Sequence, residues 1–517
     1  MTVIGSRYSH TITDVFLPKL HDIGMDDMWF QQERNNSITG LVLSRFKGFW
    51  KYRNIKQHLP TVYGLPFIGI LHKFVPLQKF FYVVGSYFEI LNSWSYLTWF
   101  GNVPLIITID TDIIKYILNS EVFLNKAGVI YGTMNDALPN GIITSKYFKW
   151  KHNRKLMNPS FTPQIIQHFM PNFNNCSKQI SKYFDSLRVG EEHAIFARLK
   201  QEILEMAVGT TMGTVLADGE NVNGSLANNF NRLLGKLVTG ISLAFIKLSF
   251  LIRTPSYYKI IENLKGYMEN LIKRKMDLIG INEEKHFLDR AIKYQQQGIF
   301  EMDDTITETY TMIIGSFETV STTLYSVITM LAMHEDVQSK LYQEVSQVIS
   351  NSKHLDYQQL DQLTYLNMVI DETLRLMPPI PLIGRETLET CHLSENIKLP
   401  KDFQILISIF HLHRRQDLWG AKAQQFNPDN FLAENIEKRH PYAYIPFSKG
   451  VRNCIGWRYA HIALKVLAVN LVRDFQFRTE FSYDKLIFIN QVSLRFLNEP
   501  KIQFVKRNNV NRAHIGV

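Results

Sequence analysis

Phe447-Ser-Lys-Gly450-Val-Arg452-Asn-Cys454-Ile-Gly456, running straight into Trp457-Arg458-Tyr459-Ala460-His461-Ile462-Ala463-Leu464, is the stretch on which the reading of this 517-residue chain turns. A single cysteine stands where a helical apolar pattern begins, between two glycines, with an arginine two residues before it and an aromatic ring seven before it. The unpaired N–H groups of a helix start stabilise negative sulfur, so the position suits a thiolate. Glycine lets backbone lie close to a flat ligand, and an arginine fork matches a carboxylate through two parallel hydrogen bonds. Iron in haem takes such an axial donor, and the pattern fits haem better than zinc. A lone cysteine is more often a small buried hydrophobe; the four residues at fixed spacing around it argue against that here.

Phe447-x-x-Gly450-x-Arg452-x-Cys454-x-Gly456 resembles the haem-binding loop of the cytochrome P450 family and carries all five of its expected residues. The resemblance implies Cys454 as axial ligand of the haem iron, Arg452 at a propionate, and Phe447 and Gly456 shielding and hydrogen-bonding the sulfur. Trp150 and Arg154, at i and i+4, lie on one side of a helical turn. Alone they read as a surface cation–aromatic contact. Beside the Cys454 loop they resemble the Trp-x-x-x-Arg helix that clasps a propionate in that family, and Arg385, after Pro381-Leu-Ile-Gly384, resembles its second propionate arginine. Ile380, Leu382 and Ile383 would then line the substrate side.

Asp303 to His334 contains no proline or break, which predicts a helix on the order of 45 Å long, enough to cross the whole molecule. Its middle, Gly315-Ser-Phe-Glu318-Thr319, is similar to the family's Ala/Gly-Gly-x-Asp/Glu-Thr signature, with Ser316 replacing the second glycine. An acid beside a hydroxyl in an apolar cleft is a proton-delivery arrangement, which makes Glu318 and Thr319 the catalytic candidates. The plainer reading has Thr319 back-bonding to the helix and Glu318 facing solvent. One branch of the family esterifies its haem through an acid at the position of Gly315. Glycine cannot do so, which implies haem b held non-covalently apart from the Cys454–Fe bond.

Glu372 and Arg375, at i and i+3 on a helix stopped by Pro378-Pro379, would on their own be a surface pair of little consequence. By position they resemble the family's structural Glu-Arg pair, with Pro428-Asp429-Asn430-Phe431 standing where the third partner is usually charged; Asn430 bonds without charge. Elsewhere, Tyr96 to Thr108 reads as a hairpin about a Gly-Asn turn followed by a short helix from Thr111 to Asn119. Leu237 to Ile252 reads as a core helix or a lip at the membrane, and Phe475 to Val505 as a closing hairpin. The fold class expected is mainly α with small β-sheets, a cytochrome P450 fold with haem between the long central helix and the cysteine loop.

Residues 1–44 mix charged and polar types throughout and read as an N-terminal extension without a transmembrane anchor, with 45–517 as one haem-thiolate monooxygenase domain. Arg45 to Arg53 is basic and aromatic, as a segment at a membrane surface would be, and Leu59 to Gly69 reads as a turn-rich linker. Lys and Arg exceed Asp and Glu by 10, scattered rather than gathered in a tail, which demands no nucleic acid and suits an acidic protein or anionic lipid. Cys176, Cys391 and Cys454 are too few and too far apart for a disulfide framework or a zinc spacing. The resemblance implies a monooxygenase that inserts one atom of O2 into a small lipophilic substrate, a lipid, hormone or xenobiotic. No flavin or nicotinamide fingerprint occurs, so electrons would come from NADPH–cytochrome P450 reductase, met by Lys149, Lys151, Lys155, Lys449 and Arg458. It further implies a peripheral place on the cytoplasmic face of the endoplasmic reticulum membrane. A haem-thiolate isomerase or dehydratase, or a non-catalytic haem-binding protein, is the alternative. Pro441 to Gly456 looks closest to insect members allied to fatty-acid hydroxylases.

Overall fold

In a computed structural model of the protein, residues 52–65, 68–213, 225–278, 284–349 and 355–507 are described. The expected N-terminal extension, most of the Arg45 to Arg53 segment, and Pro66-Phe67 of the linker lie outside the described residues. The chain divides into two compact units, Met1–His58 and Leu59–Val517, and the short helix Arg53–His58 belongs to the first.

The predicted central helix runs from Met302 to Met333 over 32 residues, or roughly 48 Å at 1.5 Å per residue. Glu301 opens it with a capping box to Asp304, and His334 leaves helical geometry and closes it. Nearly every side chain from Thr305 to Leu331 is buried, because helices enclose it on several sides. Phe196–Met212 packs along it, Trp457–Asp474 crosses it, and Met170–Asp185 backs both. Apolar residues of all four, among them Phe173, Ile203, Leu324 and Leu467, form one core. Among the described residues, no helix is long and apolar enough to cross a membrane.

The sheet beside this bundle has five strands, in the order β1-β2-β3-β7-β4. The predicted hairpin is β2 (Ser95–Phe100) and β3 (Val103–Thr108), antiparallel, with Phe100 opposite Val103 across Gly101-Asn102. β1 (Thr61–Val62) runs parallel to β2. The helix after the hairpin spans Thr111–Asn119, capped by Asp110, whose carboxylate accepts from the N–H groups of Asp112 and Ile113. β4 (Leu382–Glu386) lies antiparallel to β7 (Gln404–Ser408) and sets Arg385 opposite Ile405. β5 (Cys391–Ser394) and β6 (Ile397–Leu399) form a separate hairpin.

The tail is more elaborate than one hairpin: β8 (Phe475–Arg478) pairs with β11 (Gln503–Lys506), and a second hairpin, β9 (Phe488–Asn490) with β10 (Leu494–Phe496), is nested between them. The Leu237 to Ile252 stretch divides likewise. Its first half belongs to the helix Ser225–Ala244 and buries Leu237; a turn at Lys247 then leads to the short 3-10 stretch Ser249–Ile252, where Phe250 is exposed and Ile252 buried.

Candidate active site

The cysteine loop is folded by two left-handed residues. Ser448 (φ 59°) and Gly450 (φ 72°) turn the chain back so that the Cys454 N–H donates to the Phe447 carbonyl at 2.9 Å. Gly450 is obligatory there: a Cβ would fall 1.9 Å from the Leu118 carbonyl oxygen, in a conformation that side chains rarely adopt. Gly456 caps the helix Trp457–Asp474, and its N–H bonds the Cys454 sulfur. Phe447 packs its ring 5.0 Å from His461.

Cys454 is deep in the fold and yet its side chain keeps open surface, a combination that arises only along an internal hollow. Burial pushes the thiol up; the Gly456 N–H, Arg154 and Lys126 pull it back toward the thiolate. The central helix also has an uncovered stretch. Within its buried run only Gly315, Ser316 and Thr319 are partly uncovered, at i, i+1 and i+4 on one side. A Cβ on Gly315 would meet nothing within 4 Å. The Thr319 hydroxyl donates to the Gly315 carbonyl at 2.8 Å, and the Ser316 hydroxyl to those of Met312 and Ile313.

Cations gather at one edge of this hollow. Arg385 is buried and, among the described residues, donates only to its own neighbour's carbonyl, Gly384, at 3.0 Å. Arg452 lies over the Trp150 ring at 4.5 Å and reaches the Ser145 carbonyl at 3.3 Å, while its buried Nε has no partner among the described residues. Arg154 is fixed to the cysteine loop itself, donating to the carbonyl and the side-chain oxygen of Asn453 at 2.8 and 2.9 Å, and to Asn158 at 2.8 Å. Lys126, unmarked in the sequence, stands 4.7 Å over Tyr131. Burial lowers the pKa of all four, and at Arg452 burial first and then repulsion from Arg385 and Arg154 bring it down to about 9. Among the described residues no carboxylate forms an ion pair with any of them. Buried cations without counter-charge, an orphaned guanidinium nitrogen, a bare glycine face and an uncovered cysteine are what a flat dianionic ligand with an iron centre requires.

Glu318 and Thr319 diverge. Thr319 is on the uncovered side, whereas the Glu318 carboxylate is buried against Lys200 at 2.8 Å, the Ser493 hydroxyl at 2.6 Å, and Arg495. Burial raises the Glu318 carboxyl, but Arg495 and Lys200 more than offset this and hold it below the ordinary value. The plainer reading, in which Glu318 faces solvent, fails because helix Phe196–Met212 and β10 close over it; its other half holds, since Thr319 back-bonds to the helix.

Glu372 and Arg375 are fully buried and form a bidentate pair at 2.6 Å. Arg375 also donates to the carbonyls of His413, Ala423 and Gln425, at 2.8, 2.6 and 2.9 Å. Glu372 accepts from the Asn427 N–H at 2.8 Å and from the Asn430 amide at 3.0 Å. The charge that Asn430 lacks is supplied nearby by Arg439, stacked 3.8 Å over Trp419 and donating to the Asn430 carbonyl at 2.9 Å.

The cytochrome P450 family model matches residues 59–506. The chain belongs to the cytochrome P450 family. Its curated relatives in Drosophila melanogaster include "Probable cytochrome P450 313a4", 30% identical over 87% of this chain and 94% of the relative, and "Probable cytochrome P450 313a2", 30% identical over 91% and 98%. "Cytochrome P450 4p1" of the same organism is 27% identical over 80% of this chain and 84% of its own. This cytochrome P450 therefore has the family's fold, binds haem b, and is a haem-thiolate monooxygenase that uses O2 and a redox partner.

Proposed function

We propose that this cytochrome P450 inserts oxygen into a small lipophilic substrate, a lipid, hormone or xenobiotic, using electrons from NADPH–cytochrome P450 reductase at the cytoplasmic face of the endoplasmic reticulum. The observation that carries the reading is the uncovered Cys454 with buried cations beside it that form no ion pair among the described residues, in a chain whose central helix also bares Gly315 and Thr319. Bound haem supplies the oxygen-activating iron, to which a thiolate donates electron density that favours O–O cleavage. Cys454 would hold the iron through its sulfur, and Arg385 and Arg452 would hold the propionates, with Trp150 stacked on Arg452. Arg154 acts partly at one remove, since it also fixes Asn453 beside the ligand. Phe447 and the Gly456 N–H screen and hydrogen-bond the sulfur.

The Thr319 hydroxyl, which at rest donates to the Gly315 carbonyl, would turn to the open side to hand on a proton, and Glu318, ionised between Lys200 and Arg495, would relay one only after releasing a cation and taking up a proton from water. Ile380, Leu382 and Ile383 give the substrate an apolar wall. Lys151, Lys155 and Arg458 are exposed on segments flanking the cysteine loop and suit an acidic partner; Lys149 is shared with Asp304 at 2.6 Å, and Lys449 with the Pro441 carbonyl. The test is turnover of a panel of fatty acids, steroids and planar xenobiotics with NADPH and added reductase. Reductase-dependent hydroxylation is expected. Conversion without reductant would sink the monooxygenase reading, and a reduced, carbonyl-treated sample that keeps its thiolate spectrum after Cys454→Ser would sink the ligand.

A further inference from the structure

A second buried glutamate on the central helix has no part in the reaction described above. Glu308 is 1% exposed, and among the described residues no cation forms an ion pair with it. Lys149, which acts on Glu308 electrostatically, is paired with Asp304. The two carboxylate oxygens accept from two points of one segment: Oε2 from the Ile142 N–H at 3.0 Å, and Oε1 from the buried Asn153 amide at 2.7 Å. Between those points lie Ser145, whose carbonyl accepts from Arg452, and Trp150, on which Arg452 stacks. Directly after Asn153 comes Arg154, bonded to Asn453 beside the thiolate. The segment is already pressed against the helix: a Cβ on Gly141 would stand 2.7 Å from the Thr311 hydroxyl.

We propose that Glu308 is a positioning residue for the haem, a two-point clamp that holds residues 142–154 to the central helix and, through Arg452 and Arg154, fixes the cation edge and the cysteine loop relative to one another. The proposal rests on the haem reading of the site. Its clamp has a protonation-dependent strength. Burial raises the Glu308 carboxyl to about 7, the Ile142 and Asn153 hydrogen bonds oppose this, Asp304 raises it further and Lys149 lowers it. The neutral acid keeps both contacts if the Asn153 amide turns over and accepts from it, whereas the ionised form carries an unpaired charge in an apolar wall. Glutamine reproduces the neutral form.

The experiment follows haem transfer from the reduced and oxidised holoenzyme to excess apomyoglobin between pH 6 and 9, with the thiolate carbonyl spectrum recorded alongside. The wild type should lose haem several-fold faster above neutral pH than below it. Glu308→Gln should stay at the slow rate with the pH step gone, and Glu308→Ala should release haem at least tenfold faster throughout. Wild-type rates in Glu308→Ala, or a lowered melting temperature in both variants with unchanged haem transfer, would overturn the proposal and leave Glu308 an ordinary buried pin. If Glu308→Ala yields no holoenzyme, Asn153→Ala decides: it removes one contact and should accelerate transfer, and wild-type rates with the pH step intact count against the clamp. A wild-type preparation that never takes up haem would sink the underlying site reading instead.

Discussion

Glu308 and Glu318 lie ten residues apart on one helix, both buried, and the protein treats them in opposite ways. Glu318 has two cations and a serine hydroxyl around it and stays ionised; Glu308 has only neutral donors and is held close to half-protonated at neutral pH. A buried carboxylate needs either opposite charge or a proton, and which one it receives depends on what the neighbouring elements bring. The middle of the helix therefore carries a fixed anion and its first half a titrating group.

The largest effect should come from breaking the Glu318 side. Lys200→Met combined with Arg495→Met leaves its carboxylate unpaired, and the holoenzyme should lose about 3–5 kcal/mol in denaturant unfolding. If instead stability is unchanged, the cations do not neutralise Glu318 and the contrast collapses. The pH dependence comes next, and its sign differs at the two sites. At Glu308 the folded carboxyl is raised to about 7 over an ordinary value of 4.5, so stability present at acid pH is lost as pH climbs through neutrality, by roughly 3 kcal/mol at 1.36 per unit. Glu308→Gln should remove that slope from the unfolding free energy measured between pH 5 and 8. At Glu318 the folded carboxyl is lowered, so its contribution is present above the ordinary carboxyl range and disappears as pH falls through the folded value.

Single replacement of Arg495 by Met leaves Lys200 in place and should cost about 1–3 kcal/mol, well under the double variant; equal losses would mean that Lys200 adds nothing. Thr319→Ala should be the mildest for folding, within about 0.5 kcal/mol, because it removes only a back-bond to Gly315 and installs a good helix former. Its effect belongs to turnover: more peroxide and less product per NADPH, read in the reconstituted reaction. Tight oxygen coupling in that variant would remove Thr319 from the proton path.

Much of the site was legible because its residues are close in sequence or repeat at helical spacing. The loop from Phe447 to Gly456 announces itself by composition, and Trp150 with Arg154 and Glu372 with Arg375 are paired by the helix period alone. Lys126, Ser145 and Asn453 give no such signal, since a lysine in a loop, a serine carbonyl and an asparagine become part of the site only by proximity. Glu308 was equally silent: in the sequence it is one acid among the polar residues of the helix's first half. The nested β9–β10 hairpin was missed because alternation over Phe475 to Val505 fits one long hairpin as well as two short pairs.

By itself the sequence determined the thiolate loop, the long uninterrupted helix and the local pairs, since spacing, capping and the absence of proline act within a few residues. Only the tertiary structure decided which distant groups meet: Arg495 reaches Glu318 across 177 positions, and Ile142 reaches Glu308 across 166. The charge state of a buried acid follows from those meetings, because desolvation and ion pairing depend on the atoms within a few ångströms in space, whatever their separation along the chain.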